Sequence, residues 1–214
     1  MSDERAKRIK LLLFDVDGVL TDGTIFLFPA PAGAEQSTQR EAAARADAGG
    51  YAIVSHSMIE AKGFHAHDGA AFPMARLGGL KTGFITKRIS ETVRLRARDL
   101  KVDHVYQGSG EKIVAFREIL KKEGLSEAEA AYVGDDIIDL PVMERCGLAI
   151  AVANAREEVK RAAHYVTEHR GGEGAARDAI EYILRAQGTL ERVMRDYMEN
   201  RRAAASSADV GEAR

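Results

Sequence analysis

The chain has 214 residues, 45 % of them hydrophobic, with 31 basic side chains against 33 acidic ones and a formal net charge of -2. That length suits one medium domain with a substantial core, and a near balance of charge with no basic run sets aside nucleic acid and anionic membranes as partners. The single cysteine, Cys146, excludes an intramolecular disulfide framework, no apolar run is long enough to span a bilayer, and the charged start MSDERAKRIK is unlike a secretory signal, so the expected location is the cytoplasm.

In chain order, the first strand is expected at KLLLFDV, where four apolar residues run into Asp15 and Asp17 with Gly18 directly after. Between about Pro29 and Gly63 the rhythm breaks into an Ala- and Gly-rich stretch and a β-rich piece, YAIVSHSMIEAKGF. It reads as an insertion or flap, with the insert proper at about 29–58. Further strands are expected at TGFITK, HVYQG, AAYVGDD and LAIAVAN. Between them, Ser90 caps a helix over ETVRLRARDL, and EKIVAFREILKKEG carries Ile113, Phe116, Ile119 and Leu120 on one face before Gly124 stops it. Ser126 and Glu129 have the spacing of a capping box. After about residue 190, Leu190, Val193, Met194, Tyr197 and Met198 form an amphipathic helical stripe, and AAASSADVGEAR reads as a disordered tail. Strands alternating with helices predict an α/β domain over 1–190, a Rossmann-like doubly wound parallel sheet with a flap after its first strand.

In an open parallel sheet, ligands sit beyond the carboxyl ends of the strands. Those ends hold Asp15 and Asp17, then Thr86, then Lys112 at a helix start, then Gly134, Asp135, Asp136 and Asp139. Carboxylates gathered at one edge repel unless a cation lies among them, and hard oxygen ligands favour Mg2+. One acid of the DVD pair can ligate metal and attack, while the other shuttles a proton. A calcium loop fits DVDGVLTDG badly, because Val19 and Leu20 stand where oxygen ligands are needed. His56, His65 and His67 lack a second ligand cluster of zinc spacing and read as solvated or substrate-side groups.

With these motifs in order (DVDGVLTDG, ITKR, the lysine of GEK, and GDDIIDLPVM) the sequence resembles the haloacid dehalogenase superfamily of aspartate-nucleophile phosphotransferases. The segments LTDGTIF, EAKGFHAHDGAAF and GGEGAARDAIEYILRAQG make it similar to the octulosonate and nonulosonate phosphate phosphatases within it. The resemblance implies a Mg2+-dependent phosphomonoesterase with Asp15 as nucleophile, forming an aspartyl-phosphate, and Asp17 as general acid and base. Metal ligands would be Asp15, the backbone carbonyl of Asp17, and Asp135, with Asp136 and Asp139 behind them. Thr86 and Lys112 would hold the phosphoryl group, and Asp17, His65, His67, Asp68, Gly69, Arg88, Arg96 and Lys112 would face the substrate, a sugar-acid phosphate such as 3-deoxy-D-manno-octulosonate 8-phosphate. It also implies a homotetramer built through the flap and the C-terminal segment, with the neighbour's Arg177 a further candidate for the site.

Three positions depart from the pattern. Lys87 replaces a glycine in TKR, His67 replaces the arginine of RDG, and Pro73 replaces a cation. With the flap bringing Glu60, Lys62, His65 and His67 toward the sugar, these changes predict relaxed specificity. A catalytically weakened binding or regulatory relative is the alternative function.

Overall fold

The computed structural model describes residues 2–29, 51–52 and 58–211. Strand β1 (Leu11–Phe14) is apolar at every position and buried at every position. Only a strand covered on both faces carries such a run. It lies at the centre, paired in parallel with β5 (Lys81–Ile85) on one side and β8 (Ala130–Gly134) on the other. Beyond β5 lies β7 (His104–Tyr106), and beyond β8 lie β9 (Leu148–Ala151) and β10 (Tyr165–Val166). The six-stranded sheet therefore runs β10-β9-β8-β1-β5-β7, all parallel. The chain winds outward from β1 through β5 to β7, then returns to the other side of β1 at β8. That reversal opens a crevice between the ends of β1 and β8, the place where such sheets bind ligands.

Helices cover both faces. The first is α1 (Ser2–Ala6), and α2 (Ala66–Leu77) connects the flap to β5. Helices α3 (Glu91–Leu100) and α4 (Lys112–Glu123) follow β5 and β7, and α5 (Leu140–Met143) and α6 (Glu157–Ala162) follow β8 and β9. Helix α7 (Ala175–Ala186) packs along α2 and α1, and α8 (Leu190–Gly211) closes the chain against α2 and α7. Alanines at 71, 75, 176 and 179 are buried at this contact and let the α2 and α7 backbones approach closely. Phe14, Phe72 and Phe84 meet under α2, with Phe72 and Phe84 edge-to-face at 5.8 Å.

The expected α/β sheet and the expected helix at 91–100 are present, with differences in detail. Ser90 precedes α3 in extended geometry, but its hydroxyl makes no capping bond. Glu129 does accept from both the amide and the hydroxyl of Ser126, over a single turn rather than a helix. On α4, Phe116, Ile119 and Leu120 are buried as expected, while Ala115 takes the core position beside them and Ile113 is half-buried. Helix α8 carries the backbone through Gly211, across most of the stretch read as a disordered tail. Its alanines favour helix, which low hydrophobicity alone conceals.

The flap leaves the core as β2 (Phe26–Pro29) and returns as β4 (Met58–Ala61), antiparallel, with Pro29 opposite Met58. Between them, β3 (Tyr51–Ala52) pairs in parallel with β6 (Arg88–Ile89), directly after Thr86 and Lys87. The rest of the expected insertion, and His56 with it, lies outside the described residues.

Candidate active site

Asp15 stands at the end of β1, where its amide continues the ladder to the Val133 carbonyl at 3.0 Å. One carboxylate oxygen accepts from the Val16 amide at 2.7 Å, and the other lies 2.8 Å from the Lys112 ammonium. Lys112 opens α4 and reaches in the same way to Asp139, at 2.7 Å. Asp139 belongs to a single turn over Ile137–Asp139 and is fully buried. Its first oxygen also accepts from the Tyr132 hydroxyl at 2.8 Å. The second takes the amides of Asp135 at 3.0 Å and Asp136 at 3.3 Å. Every lone pair Asp139 can readily offer is thus committed to holding Lys112 and the Asp135 loop.

Two glycines let the loops close around this group. At Gly18, φ is +93°, and a Cβ would fall 2.1 Å from Asp135 Oδ2. At Gly171, a Cβ would lie 1.7 Å from the Gly18 carbonyl, so the loop before α7 rests on the backbone of the loop after β1. The Gly172 amide bonds Val19 O at 3.0 Å from the same loop.

Asp15, Asp135 and Asp139 each bring an oxygen within 4.8 Å of the others. Burial, with the neighbouring carboxylates adding to it, pushes the pKa of Asp15 up to about 7 and that of Asp135 up to about 8. Burial also works against the charge on Lys112, but Asp15 and Asp139 together hold its pKa above the ordinary value. One ammonium among three carboxylates leaves the group short of positive charge. Asp135 Oδ1 is buried with no hydrogen-bond partner. A divalent cation between Asp15 and Asp135 meets both needs, and the all-oxygen donor set suits Mg2+.

Asp17 lies just outside this cluster. One of its oxygens is hydrogen-bonded to Lys62, and the other is 3.7 Å from Arg88 Nε. Glu60 completes the ring, 3.3 Å from Lys62 and 3.9 Å from Arg88. Thr86 is buried at the end of β5, and its hydroxyl accepts from the Arg88 amide at 3.3 Å. Lys87 takes a glycine's place without strain, because among the described non-glycine residues only Lys101 has positive φ.

Several expected substrate contacts lie elsewhere. Asp68 is buried and accepts from the Arg177 amide at 3.1 Å, so its charge serves the start of α7. His65 caps α2 by accepting from the His67 amide at 3.3 Å. His67 lines a separate cavity of about 370 Å³ with Tyr165, His169 and Arg177, and that cavity includes none of Asp15, Asp17, Thr86, Lys112 or Asp135. Arg96 pairs with Asp99 at 2.7 Å and lies over the Phe64 ring, and Gly69 gives it room because a Cβ there would fall 2.3 Å from the guanidinium. Asp136 is exposed and spends an oxygen on the Ile137 amide at 2.7 Å, so it stays outside the three-carboxylate group. Pro73 sits inside α2.

Two residues outside the motif reading belong to the site. Tyr132, read only as part of a strand, braces Asp139. Lys62, read as a substrate-side residue, binds Asp17 instead. Its signal was a charge two residues after Glu60 in an otherwise apolar flap strand, since that spacing puts both side chains on one face.

Known proteins resemble the chain in sequence and in fold. A family profile described as haloacid dehalogenase-like hydrolase matches residues 85–177. The 3-deoxy-D-manno-octulosonate 8-phosphate phosphatase KdsC of Escherichia coli K12 is 35 % identical over 187 residues, covering 87 % of this chain and 85 % of that protein. A solved structure of that phosphatase from Moraxella catarrhalis, in complex with a magnesium ion, a phosphate ion and KDO, superposes with a TM-score of 0.74 at 31 % identity, covering 92 % of this chain and 97 % of the other. A probable YrbI family phosphatase from Pseudomonas syringae gives a TM-score of 0.76 at 38 % identity over the same shares.

Proposed function

The chain belongs to the haloacid dehalogenase-like hydrolase family and is a phosphatase with Mg2+ as its cofactor, and from that premise we propose that it hydrolyses 3-deoxy-D-manno-octulosonate 8-phosphate through an aspartyl-phosphate on Asp15. The observation that carries the mechanism is Lys112, buried between Asp15 and Asp139 beside an Asp135 oxygen with no partner. Asp15 and Asp135, with the Asp17 carbonyl, would hold the cation, which when bound offsets negative charge on the phosphoryl oxygens.

Around it the chain's own groups divide the work. Asp15 attacks phosphorus, and the ester P–O bond breaks as the new one forms. Asp17 gives a proton to the departing sugar oxygen, then takes one from the water that cleaves the aspartyl-phosphate, so the carboxylate is restored and phosphate leaves. Thr86 and Lys112 hold the phosphoryl oxygens, a service in which positioned charge matters more than covalent chemistry. Arg88 is the guanidinium at the mouth of the site and meets the substrate carboxylate.

Self-association belongs to the same reading. Phe26, Leu27, Phe28 and Ile59 on the flap are 43–49 % exposed, and Phe26 stacks on Phe28 at 6.3 Å. An apolar two-stranded ribbon of this kind is stable when another copy covers it, which favours a homotetramer. No described helix is long and apolar enough to cross a membrane, in keeping with action on a water-soluble ester in the cytoplasm.

The test is phosphate release by the purified chain with Mg2+ over a panel of sugar and sugar-acid phosphates. The octulosonate ester is expected to lead in kcat/KM, with other sugar-acid phosphates close behind it because His67, Pro73 and Lys87 stand where the family pattern has other residues. Equal rates on simple hexose phosphates overturn the substrate, and an absence of phosphate release from every ester overturns the reaction.

A further inference from the structure

We propose that Lys62 is a positioning residue for Asp17, so that the flap sets where the acid–base carboxylate sits; this rests on the role given to Asp17 above. The Lys62 side chain is 0 % exposed, with its ammonium on Asp17 and 3.3 Å from Glu60. Taking an ammonium out of water costs several kcal/mol unless it is paired. Nothing local requires a lysine here, because its neighbours Ala61, Gly63 and Phe64 would suit an apolar strand end equally well.

The nucleophile and the acid–base group differ in how they are held. Asp15 is fixed by its own strand end and by Lys112, whereas the ion pairs to Asp17 among the described residues come from Lys62 and Arg88. Arg88 is the looser of the two, at 3.7 Å from Asp17 and 3.9 Å from Glu60. An anionic group on the substrate can draw Arg88 away and free one Asp17 oxygen for proton transfer. Lys62 keeps the other oxygen, and with it the direction of the carboxylate. The flap strand thereby acts on chemistry at a loop to which it is not bonded in sequence.

The experiment is a double-mutant cycle with Asp17→Asn and Lys62→Met. Asp17→Asn alone is expected to lower kcat by about 10²-fold or more. Lys62→Met should lower it by about 10-fold with KM within about 2-fold, and the double variant should match Asp17→Asn within about 2-fold, because the second change removes support for a group already gone. Lys62→Arg should recover part of the loss. Losses that multiply in the double variant, or a KM effect with kcat unchanged, overturn the proposal. If Lys62→Met does not fold, Lys62→Arg is run through the same cycle. Melting temperatures of the four proteins give a second readout that needs no turnover. If wild type releases no phosphate, the functional reading fails, and the melting cycle alone decides here: coupled shifts support the Lys62–Asp17 hold, and additive shifts overturn it.

Discussion

The two acids of the DVD motif sit in contrasting surroundings. Asp15, with Lys112 and Asp139, is sealed at the sheet edge, where the three side chains are 6 %, 2 % and 0 % exposed. Asp17 belongs to a ring with Lys62, Glu60 and Arg88, partly carried by a ribbon whose large apolar side chains face outward. The first group is preorganised by strand ends that cannot move without unmaking the core. The second depends on a thin two-stranded element with an exposed apolar surface. On the mechanism proposed above, the chain would hold the nucleophile rigidly and leave the orientation of the acid–base carboxylate to the flap.

The largest expected effect strikes the sealed group. Asp15→Asn should cut phosphate release by about 10⁴-fold or more while circular dichroism and melting show a folded protein, and turnover near the wild-type rate would sink the assignment. Next, Lys112→Met leaves three buried carboxylates without their ammonium and should cost about 3–5 kcal/mol in urea unfolding without metal. A loss under about 1 kcal/mol would mean the cluster is less dependent on that charge than its burial requires.

Metal sharpens the contrast from the other side. At a Mg2+ concentration about 100 times its Kd, the folded state should gain about 2.7 kcal/mol. Asp135→Ala should abolish that gain, and chelation should silence wild type. The smallest effect on folding belongs to the flap. Phe28→Ser should change monomer stability by no more than about 0.5 kcal/mol, yet light scattering should show the assembly falling apart. An intact tetramer would place the interface elsewhere.

The sealed group was the more legible in sequence. Asp15 and Asp135 each follow a short continuous apolar run that marks a buried parallel strand, so their meeting at one edge follows from topology. Asp139 was placed behind them by the family resemblance, and its turn puts it on Lys112. Asp68, Arg96 and His67 each neighbour a motif, and the sequence did not show which groups they meet within the fold. What decides them is a contact with α7, with Asp99 and Phe64, or with a separate cavity. Of these partners only Asp99, three residues on along the same helix, has a spacing that sequence shows. The amphipathic face of α8 was legible up to Met198, but composition hid the helix that continues beyond it.

The position of β1 also bears on how the protein is made. Its residues leave the ribosome before those of the other strands, yet they lie in the middle of the sheet, and their partners on β5 and β8 are synthesised long afterwards. Until then four consecutive apolar side chains have no native cover, and Asp15 has neither Lys112 nor Asp135 beside it. Translation proceeds at about 5–20 residues per second, so this interval lasts seconds, and the flap insertion lengthens it. The buried group of Asp15, Lys112, Asp135 and Asp139 can therefore close only once the chain has been made through the turn after β8.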